Sequence, residues 1–129
     1  MIPKDLRYHQ EHEWVRMSGV QATVGISHFA QDALGDIVFI DLPKPGAVVK
    51  AGQQIGEVES TKTTSTIYTP VSGTVTKVNA DLTDHPEVVN SDPYGKGWMV
   101  VIDLTSVGDV DKLMTAAAYE AFLASQNKN

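Results

Sequence analysis

Near the middle of the chain, two runs rich in β-branched and aromatic residues stand on either side of a short polar segment. The runs cover residues 54–59 and 64–69, and their composition is typical of β-strands. Residues 60–63 between them are polar and favour a turn. The pattern predicts a β-hairpin that places one amine, that of Lys62, at its tip.

An internal repeat surrounds this hairpin. Each copy has a strand led by a glycine, a polar turn, a pair of valines and a second strand, and the copies cover residues 35–58 and 73–101. Two similar β units can each bury one face against the other. We therefore predict a compact sandwich, with the Lys62 hairpin joining the two units and exposed at one end.

Strand and helix signals also precede the repeat. Residues 14–16 and 21–26 flank a Ser-Gly turn and are typical of an amino-terminal hairpin. Ser27 can cap a short helix that continues to Leu34, and Gly35 follows at the position expected for a helix terminator.

After the repeat, alanines and apolar side chains between about residues 109 and 125 predict one or two helices that pack one apolar side on the sheet. The fold class is therefore mainly β, within the α+β class. A chain of 129 residues has the length of one ordinary domain. We predict a single domain over residues 1–129, with its attachment core at about 21–104.

Acidic residues outnumber basic ones. The chain has 10 Lys and Arg against 16 Asp and Glu, a formal charge of −6 and a pI near 5.0. Non-specific nucleic-acid binding is disfavoured because phosphate contacts need clustered cations. No run approaches the ~18 apolar residues of a membrane span, and residues 1–5 do not resemble a secretory signal. We predict a cytoplasmic protein, or one of the mitochondrial matrix only if a presequence has been removed.

The sequence contains no cysteine. Sulfur redox chemistry and acyl-type transfer on sulfur need a thiol, which this polypeptide does not encode. Any sulfur chemistry of this protein must therefore use a group that is attached to it.

Two histidines and two carboxylates lie within residues 9–13, a cluster that could indicate a metal site or an acid–base pair. Its spacing matches no helical His-Glu-x-x-His zinc pattern. If the segment is a strand, His12 points away from Glu11 and Glu13. We predict no catalytic residue and no metal site here, but a structural role or a role in docking an attached arm.

The segment from Asn90 to Trp98 has the composition of a tight loop. An Asp-Pro pair and two glycines explain its residue types, and Trp98 is expected to enter a strand as part of the core. Turn chemistry favours the structural interpretation over a partner-binding role, which stays open at this stage.

The hairpin and its repeat resemble the biotinyl and lipoyl attachment domains, in which two quasi-symmetric halves present a modified lysine at a hairpin tip. Biotin attachment usually places that lysine between methionines, whereas Thr61 and Thr63 flank Lys62. Lipoyl attachment typically shows a glutamate three residues before the lysine and a glycine eleven after it, and Glu59 and Gly73 match those positions. The resemblance implies a barrel-sandwich hybrid that carries lipoate.

Between about Leu6 and Leu123, the chain is similar to the glycine cleavage H-protein family. The matching pieces occur in the family's order at residues 12–15, 24–26, 29–31, 34–39, 58–62, 70–73 and 90–95. The family more often has valine and alanine beside the lysine, and an acidic residue where Thr66 stands. The surroundings of the arm therefore differ from the family pattern.

This resemblance implies a carrier with no catalysis of its own. Lipoate amide-linked to Lys62 would take the aminomethyl group of glycine from a pyridoxal-phosphate glycine decarboxylase and pass it to a tetrahydrofolate-dependent aminomethyltransferase. Dihydrolipoyl dehydrogenase would reoxidise the lipoate. The lipoate-attaching enzyme would recognise Glu59 and Gly73, unless Gly73 is needed only for a bend or bulge. Glu13 would accept a hydrogen bond from the cationic nitrogen of the loaded arm. We expect a monomer when the protein is free.

Three alternatives remain at this stage. They are a biotin carrier, an enzyme that uses the cluster at residues 9–13, and an unmodified interaction module such as a paralogue that relays lipoate to other enzymes. The last alternative keeps the same fold and the same lysine, so the sequence discriminates it poorly.

Overall fold

The computed structural model describes residues 2–126, and in that range nine strands form two antiparallel sheets. The strands are β1 Arg7–Tyr8, β2 Glu13–Ser18, β3 Gln21–Ile26, β4 Ile37–Asp41, β5 Val48–Val49, β6 Gln54–Ser60, β7 Thr64–Tyr68, β8 Gly73–Val78 and β9 Val100–Leu104. The larger sheet has the strand order β1-β2-β3-β9-β8-β5, and the smaller one has the order β4-β6-β7.

Short helices lie between the strands and after the last of them. They are α1 His28–Leu34, α2 Asp81–Asp84, α3 Val88–Ser91, a 3₁₀ helix Val107–Lys112 and α4 Ala116–Gln126. None of the helices within residues 2–126 is long and apolar enough to cross a membrane. The amino-terminal hairpin, the helix that follows it and the carboxy-terminal helices are confirmed as predicted.

The main core lies between the two sheets, because alternate side chains of each strand point to its inner face. Both units of the repeat contribute to it through buried residues such as Ile40, Val58, Val75 and Ile102. A second cluster joins α4 to the amino end of the chain and consists of Leu6, Tyr8, Trp14, Ala116 and Tyr119.

Each copy of the repeat buries the second valine of its pair, Val49 or Val89, but the backbones of the two pairs differ. Val48–Val49 is strand β5, whereas the corresponding Val88 and Val89 begin helix α3. The second copy turns helical because the N–H groups of Val88 and Val89 donate to the carbonyls of His85 and Pro86 in consecutive turns. Val49 and Val89 nevertheless belong to the same core. The two copies are therefore more alike in which residues they bury than in their backbone conformation.

Helix α1 begins and ends where the sequence predicts. The Ser27 hydroxyl accepts a hydrogen bond from the Ala30 N–H at 3.2 Å, as an N-cap does. Gly35 ends the helix with φ of +80° and ψ of −152°, a conformation open essentially to glycine alone. The position of α1 matters for the site because Gly35 lies beside the lysine hairpin.

One local prediction is wrong, and the condition considered for the histidine cluster, that its segment is a strand, does not hold at His12. Trp98 does not enter a strand, because β9 begins at Val100 and Trp98 is half-buried in the preceding loop. His12 does not continue β2, since its φ is +77° and its N–H donates to the His9 carbonyl at 2.8 Å. The chain therefore makes a turn before β2, which changes where the side chains of the histidine cluster point.

Candidate functional site

The site is the tip of the hairpin formed by β6 and β7. These strands pair antiparallel up to Glu59 and Thr64, with a register shift only at the far end, between Gln54 and Gly56. The Ser60 N–H then donates to the Thr63 carbonyl at 2.8 Å to close the turn. Lys62 stands in this turn with its side chain exposed. The predicted placement of the amine is confirmed.

Ser60 braces the turn from inside. Its hydroxyl accepts hydrogen bonds from the N–H groups of Lys62 at 3.3 Å and Thr63 at 3.2 Å, and it donates to the Thr63 carbonyl at 3.2 Å. The Ser60 side chain is buried, so these bonds are shielded from competing water. The sequence prediction missed this role, although a serine opening a polar turn was a signal for it.

The segment that follows helix α1 supports the hairpin from the side. The Thr61 N–H donates to the Asp36 carbonyl at 3.0 Å. The Lys62 side chain passes over Gly35, where an added Cβ would lie 3.5 Å from Lys62 Cε and 4.0 Å from Nζ. The tip is therefore held by contacts outside its own two strands.

The Lys62 amine is not committed to an ion pair. Within residues 2–126, the pairs within salt-bridge distance are His9 with Glu13 and His85 with Glu87, and neither involves Lys62. The same residues contain no group of three or more His, Cys, Asp or Glu side chains placed to hold a metal ion. The chemistry available at the tip is therefore that of an accessible primary amine.

Glu59 and Gly73 occupy different surroundings. Glu59 is exposed on β6, directly opposite Thr64 and next to the turn. Gly73 is buried in the larger sheet, where an added Cβ would lie 2.1 Å from the Asp103 carbonyl oxygen. The two backbones are too close for any side chain there, so the structure gives Gly73 a packing reason that is independent of recognition.

Glu13 is buried, with 1% of its surface exposed. One carboxyl oxygen lies 3.0 Å from His9 Nδ1, and the other accepts a hydrogen bond from the Tyr68 N–H at 3.1 Å. Tyr68 is at the end of β7 away from the lysine turn, about 13 Å from Thr64 at ~3.3 Å per residue. Glu13 therefore lies at the base of the hairpin and not at its tip.

Burial and hydrogen bonding act in opposite directions on the pKa of the Glu13 carboxyl. His9 Nδ1 also lies 3.2 Å from the Glu11 N–H, from which it accepts in the tautomer that leaves Nδ1 unprotonated, whereas a protonated Nδ1 donates to Glu13. Burial raises the pKa of the Glu13 carboxyl from its ordinary 4.5, while the hydrogen bonds from His9 and Tyr68 oppose the change. Burial is the larger cause, so the carboxyl ionises at a higher pH than an exposed glutamate does.

A second polar network joins the start of α1 to α4. The Tyr119 hydroxyl lies 2.8 Å from His12 Nδ1 and 2.8 Å from Ser27 Oγ, and its ring stacks on Tyr8 at 4.5 Å. Burial raises the pKa of Tyr119 to about 12 and lowers the pKa of His12. Both groups are neutral near pH 7, which suits a structural network that fixes α4.

Glu13→Gln is expected to increase the free energy of unfolding relative to the original protein, by an amount that grows as pH rises. Because the pKa of Glu13 is raised in the fold, the stabilisation it provides is complete below 4.5 and is lost as pH rises through the folded pKa. A glutamine amide can bond both His9 and Tyr68 without ionising. The gain is about 1.4 kcal/mol for each unit by which the pKa is raised. Urea unfolding of both proteins across this pH range measures it, and a pH-independent difference would contradict the raised pKa of Glu13.

Fold and site together define a class of protein: an attachment domain of two β units that presents a lysine on a braced hairpin. A family model described as glycine cleavage H-protein matches residues 6–126. This span is close to the limits of Leu6 and Leu123 drawn from the sequence.

Known proteins agree with this match. The glycine cleavage system H protein of Bacillus subtilis (strain 168) is 56% identical over 119 residues, which cover 92% of this chain and 94% of that protein. The protein of that name from Geobacillus kaustophilus is 52% identical over 121 residues, covering 94% and 95%. A crystal structure of a glycine cleavage system H protein from Mycobacterium marinum superposes with a TM-score of 0.86 at 41% identity, covering 99% of this chain and 100% of that one.

The chain belongs to the glycine cleavage H-protein family. The predicted fold class is confirmed by the superposition, and the predicted role as a lipoyl carrier component in glycine cleavage is confirmed by the family.

Proposed function

We propose that Lys62 bears the lipoyl group in an amide bond and that the protein carries the aminomethyl group of glycine without catalysing any step itself. The observation that supports this most strongly is the exposed amine on a turn fixed by Ser60 and Asp36. Such a turn keeps the attachment point in one conformation while its side chain stays accessible. The family implies the cofactor, and the geometry supports this lysine as its place.

The chemistry of the chain fits this cofactor. Lipoate bound through Lys62 would supply a disulfide, which a chain without cysteine cannot provide. The contribution of the protein is position: it holds the attachment point clear of both sheets. Amide formation also removes the positive charge of Lys62. Among the described residues, Lys62 forms no ion pair within 4 Å, so this loss of charge breaks none.

We propose four protein partners: the glycine decarboxylase, the aminomethyltransferase, dihydrolipoyl dehydrogenase and the lipoate-attaching enzyme. The outer face of the smaller sheet, next to Lys62, supports docking to basic surfaces. There Asp41 stands directly opposite Glu57, and Phe39, which is 54% exposed, stands opposite Glu59. Like charges directly opposite each other are destabilising in the free protein. A cationic partner surface relieves that repulsion. The free protein is proposed to be a cytoplasmic monomer formed by one domain.

Glu13 is proposed to contact the loaded arm by exchanging its partner. His9 holds one carboxyl oxygen of Glu13, and its side chain is 19% exposed at the surface. A cationic nitrogen that replaces His9 would favour the ionised carboxylate and form a charge-assisted hydrogen bond. Glu13→Gln should then shorten the lifetime of the loaded arm, and an unchanged lifetime would remove this role.

Mass spectrometry tests the central proposal. Protein made in lipoate-replete cells should carry the mass of one lipoyl group, and peptide mapping should locate that mass on Lys62. Protein from lipoate-starved cells is the matched control. An added biotin mass would indicate a biotin carrier, and no added mass would indicate an unmodified interaction module.

Glu59→Gln is expected to slow lipoate attachment without lowering stability. The Glu59 carboxylate is exposed beside the turn, so its removal leaves the fold intact but takes away a charge that the attaching enzyme can bind. A loss of about tenfold in kcat/KM corresponds to 1.4 kcal/mol of recognition. Glu57→Gln, two residues earlier on the same exposed face, is the control. Equal losses for both variants would assign the effect to overall charge and not to Glu59.

A further inference from the structure

Asn90 links helix α3 to the segment that supports the lysine hairpin. Its side-chain oxygen accepts a hydrogen bond from the Ile37 N–H at 2.9 Å. Its side-chain nitrogen donates to the Gly35 carbonyl at 2.8 Å and to Gln31 Oε1 at 2.9 Å. Both donor hydrogens of the amide and its acceptor oxygen are therefore used on one short stretch of chain.

That stretch is the one on which the hairpin tip rests. Gly35 and Ile37, the two backbone partners of Asn90, lie on either side of Asp36, whose carbonyl accepts from Thr61. Gly35 also lies under the Lys62 side chain. A chain of contacts therefore runs from Asn90 through residues 35–37 to the turn that carries the attachment lysine.

Residues 35–37 need an external clamp. Gly35 is in a glycine-only conformation, and glycine loses the most conformational freedom on folding. Its N–H is bound to the Gln31 carbonyl inside α1, but its carbonyl points out of the helix and is bound by Asn90. Ile37 begins β4 next to a register shift, so its N–H is bound by the Asn90 side chain. Without Asn90, two backbone groups in this stretch lose their partners.

We infer that Asn90 is a positioning residue for lipoate attachment, acting through Gly35 and Asp36 to hold the Lys62 turn in the conformation that the attaching enzyme binds. The inference rests on the proposed function for Lys62. It assigns to the Asn90–Trp98 segment a role beyond that of a tight loop. The Asn90 side chain bonds residues 31, 35 and 37 and not Lys62. Its effect is therefore on the fraction of molecules in which the Lys62 turn has the conformation that the attaching enzyme binds.

Asn90→Ala tests the inference against Asn79→Ala, a control that removes the side-chain hydrogen bonds of another asparagine. The Asn79 side chain donates to the carbonyls of Lys96 and Trp98, far along the chain from residues 35–37. Amide hydrogen exchange in the full-length unmodified protein should be about tenfold faster at Thr61 in Asn90→Ala, and unchanged there in Asn79→Ala.

Attachment kinetics give the second readout, with lipoate, ATP and a purified lipoate-attaching enzyme. A smaller fraction of molecules with the competent turn raises KM for the carrier and leaves kcat unchanged. For Asn90→Ala we expect KM to rise about threefold or more. Should Asn90→Ala fail to fold, Asn90→Ser, which keeps one donor and one acceptor, takes its place.

The inference is overturned if exchange at Thr61 and KM are the same in the Asn90 and Asn79 variants. Failure of the proposed function has a different signature. In that case the original protein takes no lipoate at Lys62, while the exchange experiment still decides whether Asn90 fixes the turn.

Discussion

Replacing Lys62 by arginine is expected to remove the lipoyl mass completely and to reduce carrier activity to that of a reaction without the protein. Arginine keeps the positive charge and the length of the side chain, but its guanidinium does not form the amide with lipoate. The Lys62 side chain is exposed, so stability should stay within about 0.5 kcal/mol. Intact mass, unfolding in urea and a reconstituted glycine cleavage assay measure the three quantities.

Two other exposed lysines make the comparison specific. Lys50 and Lys77 are both accessible and lie on other parts of the surface. Lys50→Arg and Lys77→Arg should keep the full lipoyl mass and full activity. Residual lipoyl mass on the Lys62→Arg variant would show that the attaching enzyme accepts another amine, and the assignment of the arm to Lys62 would then be wrong.

Local signals predicted the geometry of the lysine hairpin well. The hairpin, its lysine, the Ser27 cap and the Gly35 terminator all depend on residues within a few positions of each other. Each of these features is fixed by turn, capping or strand chemistry that acts over one or two turns of chain. The family resemblance then connected this local geometry to a cofactor that neither composition nor periodicity could identify.

The support of the site could not be predicted, because it depends on contacts between distant segments. Glu13 bonds Tyr68 across 55 residues, and Asn90 bonds Ile37 across 53. Such pairs can be predicted only when the order of the strands in both sheets is known. Distant contacts also fix His12, whose left-handed backbone is stabilised by packing against Phe29 and a bond to Tyr119.

Gly73→Ala is expected to destabilise the protein by about 3 kcal/mol or more. The new Cβ would lie 2.1 Å from the Asp103 carbonyl oxygen and 2.8 Å from Ile102 Cγ2, so β8 and β9 must move apart. Gly73 also pairs with Val49 on its other side, which leaves no free edge to absorb the shift. Gly108→Ala is the control, since its Cβ would meet only Ser106 Oγ at 3.7 Å. Urea unfolding of both variants gives the difference.

The same variant separates the two interpretations of Gly73. If the glycine is needed for packing, Gly73→Ala should take up lipoate at the normal rate per folded molecule, because the Lys62 turn is built by Ser60 and Asp36 and not by Gly73. If the attaching enzyme reads Gly73 directly, the rate per folded molecule falls. The packing interpretation requires a loss of stability, so a variant that unfolds like the original protein while losing attachment would refute it. We expect the loss of stability to account for any fall in lipoate attachment, since no side chain fits between the paired strands β8 and β9 at this position.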